Sequence, residues 1–468
     1  MGHHRERRLG LATQTMTSRL FDDLPRLRAV GDQPADDAIE YWQRTKNVRN
    51  CLHSLADQLV GFEFSPEIER LIDIFSAKNS TAAQALDPRK RIQECACEDS
   101  HIADGQKVFE EQGLKILLIL LCYSLPAAYA AQNGVRVLHS DNGSTGFFIK
   151  DHSRRLIETA QFIIEVFSDK GLRIEPERPC GEQGRAIRSA LRVRLLHAVV
   201  RALVESNGAR GGKPWNTEEF GRPANQEDLS GTLMTFSWLV IDGLRKLHLN
   251  LDSNAEQAYL EIWMRVGKVL GVQRVPSNLE EAEALTIAIR KSQIDAPILA
   301  NVENLYGKEM TRRLIEFFRS VLPWYLRWLR LPEALIRFFL PTEPDVPASL
   351  GIRPTPILLR FVKIWFCIEA KLTNFTFFRK LNDVVFVEWD EKDPRAITLL
   401  QFSRNIGRRL LRGMQGFDRN AAIAGGQRQS FQLHGWERRW ALKQANPLTR
   451  VARRLRTRVT GTQYQPRP

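Results

Sequence analysis

An all-α fold, built as a single large helical domain, follows from three features of the chain. Apolar residues recur at helical spacing along most of its length, only one run alternates as a strand would, and no internal repeat is evident. With 43% hydrophobic content over 468 residues there is ample material for a sizeable core. The sequence divides into a loosely ordered lead-in (1–37), a helical domain (38–400) and a basic tail (401–468).

The elements are read in order. Ala38 to Val60 is the first amphipathic helix, ending before Gly61, and Ser65 to Ser76 repeats Ile68, Leu71, Ile72 and Phe75 at helical spacing. Val108 to Ala131 is a long apolar stretch interrupted by Pro126. Its unbroken part, Ile116 to Leu125, falls well short of the ~20 residues that a bilayer requires, so it reads as a buried, kinked core helix. Further helices follow at Arg154 to Phe167, Gly184 to Glu205, Asn225 to Leu247, Asn254 to Leu270, Leu279 to Lys291, Asn301 to Arg319 and Pro356 to Phe375. Asn382 to Trp389 is the lone strand-like run, and Pro341 to Pro356 is the expected long loop.

Charge and cysteine usage narrow the function classes. Of a net charge of +14, the tail beyond Gln401 holds fifteen Lys/Arg against Asp418 and Glu437, so the body is close to neutral. Such a tail is solvated, rests on anionic lipid, or contacts nucleic acid. No nucleic-acid motif precedes it, and nucleic acid is not the expected partner. Trp436 and Trp440, beside Arg438 and Arg439, either form an interfacial helix or pack back onto the domain. The six cysteines lack the spacing of a disulfide scaffold or a zinc site, and Leu11 to Leu24 is too polar for a secretory signal core. A cytoplasmic protein with optional peripheral membrane contact is expected.

Three segments carry the candidate chemistry. Arg192 to Arg201 reads R-V-R-L-L-H-A-V-V-R, which puts Arg194, His197 and Arg201 in one helical stripe. Two fixed cations beside an imidazole favour its neutral, metal-binding form and also suit an anion. Haem meets both requirements through its iron and its propionates, whereas zinc lacks a second ligand at helical spacing from His197. A core histidine flanked by two snorkelling arginines is the plainer alternative. On the helix from Arg154, Arg155 and Thr159 share a face with Phe162 and Val166 and adjoin Glu158, forming either a small oxygen-polarising pocket or an exposed edge. In Trp215 to Phe236, Asn225 and Asp228 form a capping-box relative, and Gly231 admits close approach of a helix or a flat cofactor.

In order and spacing, S-L-P-A-A-Y-A (Ser124 to Ala130), R-L-I-E-T (Arg155 to Thr159), R-L-L-H-A-V-V-R (Arg194 to Arg201) and P-A-N-Q-E-D-L-S-G-T-L (Pro223 to Leu233) resemble the latex-clearing protein, or rubber oxygenase, family. That family also includes the fungal oxygenase of mycophenolic acid biosynthesis, and the resemblance covers about residues 105 to 330. It implies a globin-like helical core with extra helices, holding haem b by its iron on His197. Arg194 and Arg201 would hold the propionates, and Arg155 and Thr159 would orient O2. The implied reaction is oxidative cleavage of a carbon–carbon double bond in an apolar, isoprenoid or long-chain alkene. Rubber-cleaving members carry a lysine where this chain has Glu158, which removes distal lysine ligation and makes Glu158 a candidate base. The competing readings are a non-catalytic haem or lipid carrier and a basic helical interaction protein.

Overall fold

The computed structural model describes residues 22–46, 52, 55–56, 59, 99–138, 152–174, 183–206, 214–249, 251–322, 327–342 and 344–374. The expected helix at Ser65 to Ser76, the strand-like run at Asn382 to Trp389 and the tail fall outside them. Among the described residues the regular structure is helical, and a single bridge joins Thr342 and Asp345.

The principal helices are α1 (Gln33–Lys46), α2 (Asp99–Ile119), α3 (Leu125–Ala130), α4 (Gln132–Leu138), α5 (His152–Val166), α6 (Arg185–Glu205), α7 (Gln226–Phe236), α8 (Trp238–Lys246), α9 (Ser253–Val269), α10 (Leu279–Arg290), α11 (Leu305–Val321), α12 (Leu331–Phe339) and α13 (Pro356–Asn374). Asparagine or aspartate side chains cap several of their N-termini: Asn225, Asp252, Asn278 and Asn304 each accept an N–H from the first turn. The helix expected from Asn225 to Leu247 is broken at Ser237, whose hydroxyl donates to Leu233 O at 2.7 Å.

The core forms where α2 lies along α9. Gly105 makes that approach possible, since a Cβ there would stand 2.6 Å from Ala258 O. Phe109, Phe167, Tyr259 and Trp263 pack against one another beside it, with ring centroids 4.4–5.9 Å apart. The α2–α3 stretch is long and apolar enough to cross a membrane by length and composition, but 78% of its most apolar window is buried inside the protein. It is a core element, as its interruption by proline predicts.

Pro126 is accommodated by a change in the hydrogen-bond ladder. It has no N–H to donate, and the preceding turn, Leu120–Ser124, widens to a π-turn in which Leu125 N–H reaches back to Leu120 O. The same device recurs before Pro297, where Lys291–Asp295 is a π-turn closed by Ala296 N–H on Lys291 O.

The lead-in expected over 1–37 needs correction. Residues 22–28 are helical, α1 begins at Gln33, and Leu24, Ala35 and Ala38 are fully buried. The reason is polar as well as apolar. Gln226 donates from its side chain to Gly31 O, its own N–H reaches Val30 O, and Arg28 makes a paired contact with the buried Glu227 at 2.7 and 3.2 Å. Residues 28–36 therefore form a strap fixed across α6 and α7.

Candidate functional site

His197 sits mid-way along α6 with Arg194 and Arg201 one turn to either side, as the stripe predicts. Both arginines are sealed in the interior, with side chains 3% and 1% exposed. Arg194 grips Asp32 through Nε and Nη2 at 2.6 and 2.9 Å. Arg201 binds Asp36 at 2.7 Å and donates to Ala224 O at 2.8 Å. Neither lines the cavity that His197 lines. The propionate role expected of them is not what this geometry offers, because the strap already supplies their anions. They anchor the strap to the histidine helix.

That cavity has a volume of about 470 Å³. One wall is the α3–α4 track, the other the α7–α8 track, and the two run antiparallel. A Cβ on Gly134 would stand 3.1 Å from Asp228 Oδ1, Ser124 donates to Thr235 O at 2.6 Å, and Tyr123 donates to Asp242 at 2.7 Å. From Asp228 to Asp242 the rail is roughly 20 Å long at 1.5 Å per residue. Small residues along it, Ala127, Ala128, Ala131, Gly134 and Gly231, keep the walls low, and Val200, Met234 and Ile289 make them apolar. Gly231, expected to admit a flat group, does line the space. Both π-turns border it as well, the first through Tyr123 and the second through Gln293 and Ile294.

The two ends differ. At one, burial pushes His197 down to about 4, assisted by Arg201 and opposed by Asp32, so the imidazole is neutral at physiological pH. Its Nδ1 is sealed by the protein without a hydrogen-bond partner, so the ring meets the cavity through its other edge. Asp228 lines the same space. Burial, then the neighbouring Glu227, push its carboxyl up to about 7, against the Asn225 backbone and Arg28. At the other end Lys246 donates to Tyr123 Oη at 2.9 Å and pairs with Asp242, and these two charged side chains are 34% and 29% exposed. This end opens toward solvent. Lys246 and Arg290 are the cations of the lining.

Arg155, Glu158 and Thr159 share a face of α5, as expected, but none lines this cavity. Glu158 is held by Arg154 and Arg155 at 2.9 and 2.8 Å, and Thr159 donates to Arg155 O within its own helix. Burial raises the Glu158 carboxyl while the two arginines pull it down. Arg192, on the histidine helix, lies within electrostatic reach of it.

The donor set suits a metal that brings its own macrocycle. Among the described residues no group of three or more His, Cys, Asp or Glu side chains is placed to hold a bare ion. One neutral imidazole lining an apolar space with low walls is a site that haem, which asks the protein for a single iron ligand, would fit.

Sequence reasoning did not identify Asp228 as more than a cap, and it missed Tyr123, Asp242 and Lys246. A signal was there: Asp228, Thr232, Thr235, Leu239, Asp242 and Lys246 recur every three or four residues along α7–α8, one continuous stripe of the cavity wall.

Comparison with known proteins agrees with this architecture. Residues 115–365, more than half of the chain, match the family described as ER-bound oxygenase mpaB/B'/Rubber oxygenase, catalytic domain. The chain belongs to that family. It is similar to the rubber oxygenase of Streptomyces sp. (strain K30), with 25% identity over 183 residues, spanning 38% of this chain and about two-fifths (41%) of that protein's length. Among solved structures it resembles latex clearing protein LCP in the closed state, with a TM-score of 0.55 and 17% identity, covering 82% of this chain and 91% of that one. The last likeness is one of fold.

Proposed function

We propose that this chain is a haem b-dependent oxygenase that cleaves a carbon–carbon double bond of an apolar, isoprenoid or long-chain alkene with O2. Each alkene carbon receives one oxygen atom, so the products are two carbonyl ends. The observation that carries the proposal is His197: a neutral imidazole lining an apolar cavity with low walls. Family membership supports the oxygenase class.

In this reading His197 would hold the haem iron, and the bound haem would supply the activation of oxygen. The chain's own residues do the positioning. Ala127, Ala128 and Gly231 leave room for a planar group, the aliphatic wall excludes water and aligns a hydrocarbon chain, and Lys246 and Arg290, paired with Asp242 and Asp295, form the charged edge of the cavity. Asp228 holds a proton near neutral pH beside the reacting space. The resemblance assigns oxygen orientation to Arg155 and Thr159, and Glu158, which departs from the family's lysine, is a candidate base by its position alone. With two arginines on it, Glu158 is the strictest test of that assignment: Glu158→Gln lowers turnover if it is the base, and unchanged turnover removes the role.

An absorption spectrum of the purified protein tests the main proposal, taken as isolated and after dithionite, beside His197→Ala. A Soret band that the substitution abolishes is expected. Absence of the band even after haem reconstitution, in a variant and parent that both remain folded, would discard the oxygenase reading.

A further inference from the structure

Helix α13 has two apolar faces, and only one of them is packed. Val362, Phe366 and Ala370 point inward, 0–7% exposed, with Phe366 against Phe338 at 4.9 Å. On the outer side Ile357, Phe361, Ile364 and Ile368 recur at helical spacing and are 85%, 43%, 60% and 39% exposed. A surface helix of a water-soluble domain normally puts polar residues there. Here the exposed polar side chains among the stripe are Arg360, Lys363 and Lys371, while the one acidic residue of the helix, Glu369, is buried.

A face that is apolar and cationic, with no exposed carboxylate, fits an anionic bilayer. The hydrocarbon boundary takes the isoleucines and the phenylalanine, and the headgroups take the lysines and arginine. A second copy of the chain fits less well, because it would bring the same cations against themselves. The position of the face adds a further argument. Cys367, on this side, contacts His248 Nε2 at 3.4 Å, and His248 lies just beyond Lys246 at the open end of the cavity. Helix α12, under α13, sets Phe339 on Tyr123 at 5.6 Å, and the chain leaving it lines the cavity through Leu340 and Pro341.

We propose that α13 is a membrane-docking helix: its Ile357, Phe361, Ile364 and Ile368 stripe lies in the headgroup boundary of an anionic bilayer, with the Lys246 end of the cavity beside it. The inference does not depend on haem or on turnover. A lipid-soluble substrate would then meet the cavity at the end nearest the bilayer.

The test is co-sedimentation of the full-length protein with vesicles of phosphatidylcholine, with or without phosphatidylserine, at physiological and at high salt. The variant Ile357→Ser/Phe361→Ser/Ile364→Ser changes only exposed side chains, so its helical circular dichroism should match the parent's. It is expected to lose about tenfold or more in binding to phosphatidylserine vesicles at both salts. Arg360→Glu/Lys363→Glu is expected to lose the preference for phosphatidylserine. Equal binding by the triple variant and the parent would overturn the proposal, leaving the basic tail as the contact. So would a parent that ignores vesicles and instead dimerises through this face in sedimentation velocity.

Discussion

The pair between Arg194 and Asp32 shows how much a single contact carries here. Both side chains are at most 4% exposed, and removing one partner strands the other's charge in the interior. Asp32→Asn or Arg194→Leu should therefore cost about 3–5 kcal/mol, read from urea unfolding midpoints. Asp228 makes a different prediction, because burial raises its folded-state value from the ordinary 3.8 to about 7. The folded protein then holds the proton more tightly than the unfolded chain does across that window. Stability falls as pH rises from about 4 to about 7, by at most a few kcal/mol at roughly 1.4 kcal/mol per unit. Asp228→Asn should flatten that slope in unfolding curves taken at successive pH values. His152 acts oppositely: burial lowers it to about 4, so its contribution to stability is gained as pH rises from about 4 to 6.5. Comparing His152→Gln with Asp228→Asn separates the two slopes.

At the level of elements, the contact of α2 with α9 is set by one missing methyl group. Gly105→Val would drive side-chain carbon into Ala258 O, and neither backbone can retreat without disturbing the aromatic cluster next to it. A loss of about 1–3 kcal/mol or more is expected, seen as a lower thermal midpoint. Helix positions were largely legible from periodicity: α5, α6, α9, α10 and α13 begin and end within a residue or two of expectation. The break at Ser237 was not, because nothing in the apolar spacing marks it, and neither was the early start of α1. Pro126 announced a kink, but whether a proline bends a helix or opens a π-turn depends on what packs around it. His197 and Gly231, singled out by the sequence, both line the cavity. The partners of Arg194 and Arg201 were not legible, since Asp32 and Asp36 stand more than 160 positions away in the chain.

Across the whole molecule, the strap at 28–36 joins pieces that the sequence keeps far apart. Deleting residues 22–37 would take Asp32, Asp36 and Arg28 away from the interior charges of Arg194, Arg201 and Glu227. The shortened protein is expected to lose cooperative unfolding by circular dichroism, whereas a dispensable lead-in would leave the transition unchanged. The cavity depends on the same closure, because Ala224, which receives Arg201, is held at φ 47° in its wall, a conformation that alanine rarely adopts.

The strap also sets an order of events during synthesis. It leaves the ribosome first, yet Arg194 and Arg201 follow it by 162 and 165 positions and Glu227 by 199. Gly271, which shares the Gln226 amide with Gly31, emerges later still. Until then two aspartates and the buried side of α1 lack the partners that the finished protein gives them. The latch on the histidine helix is therefore completed only after the cavity-lining helices α3, α4, α6, α7 and α8 have all been made.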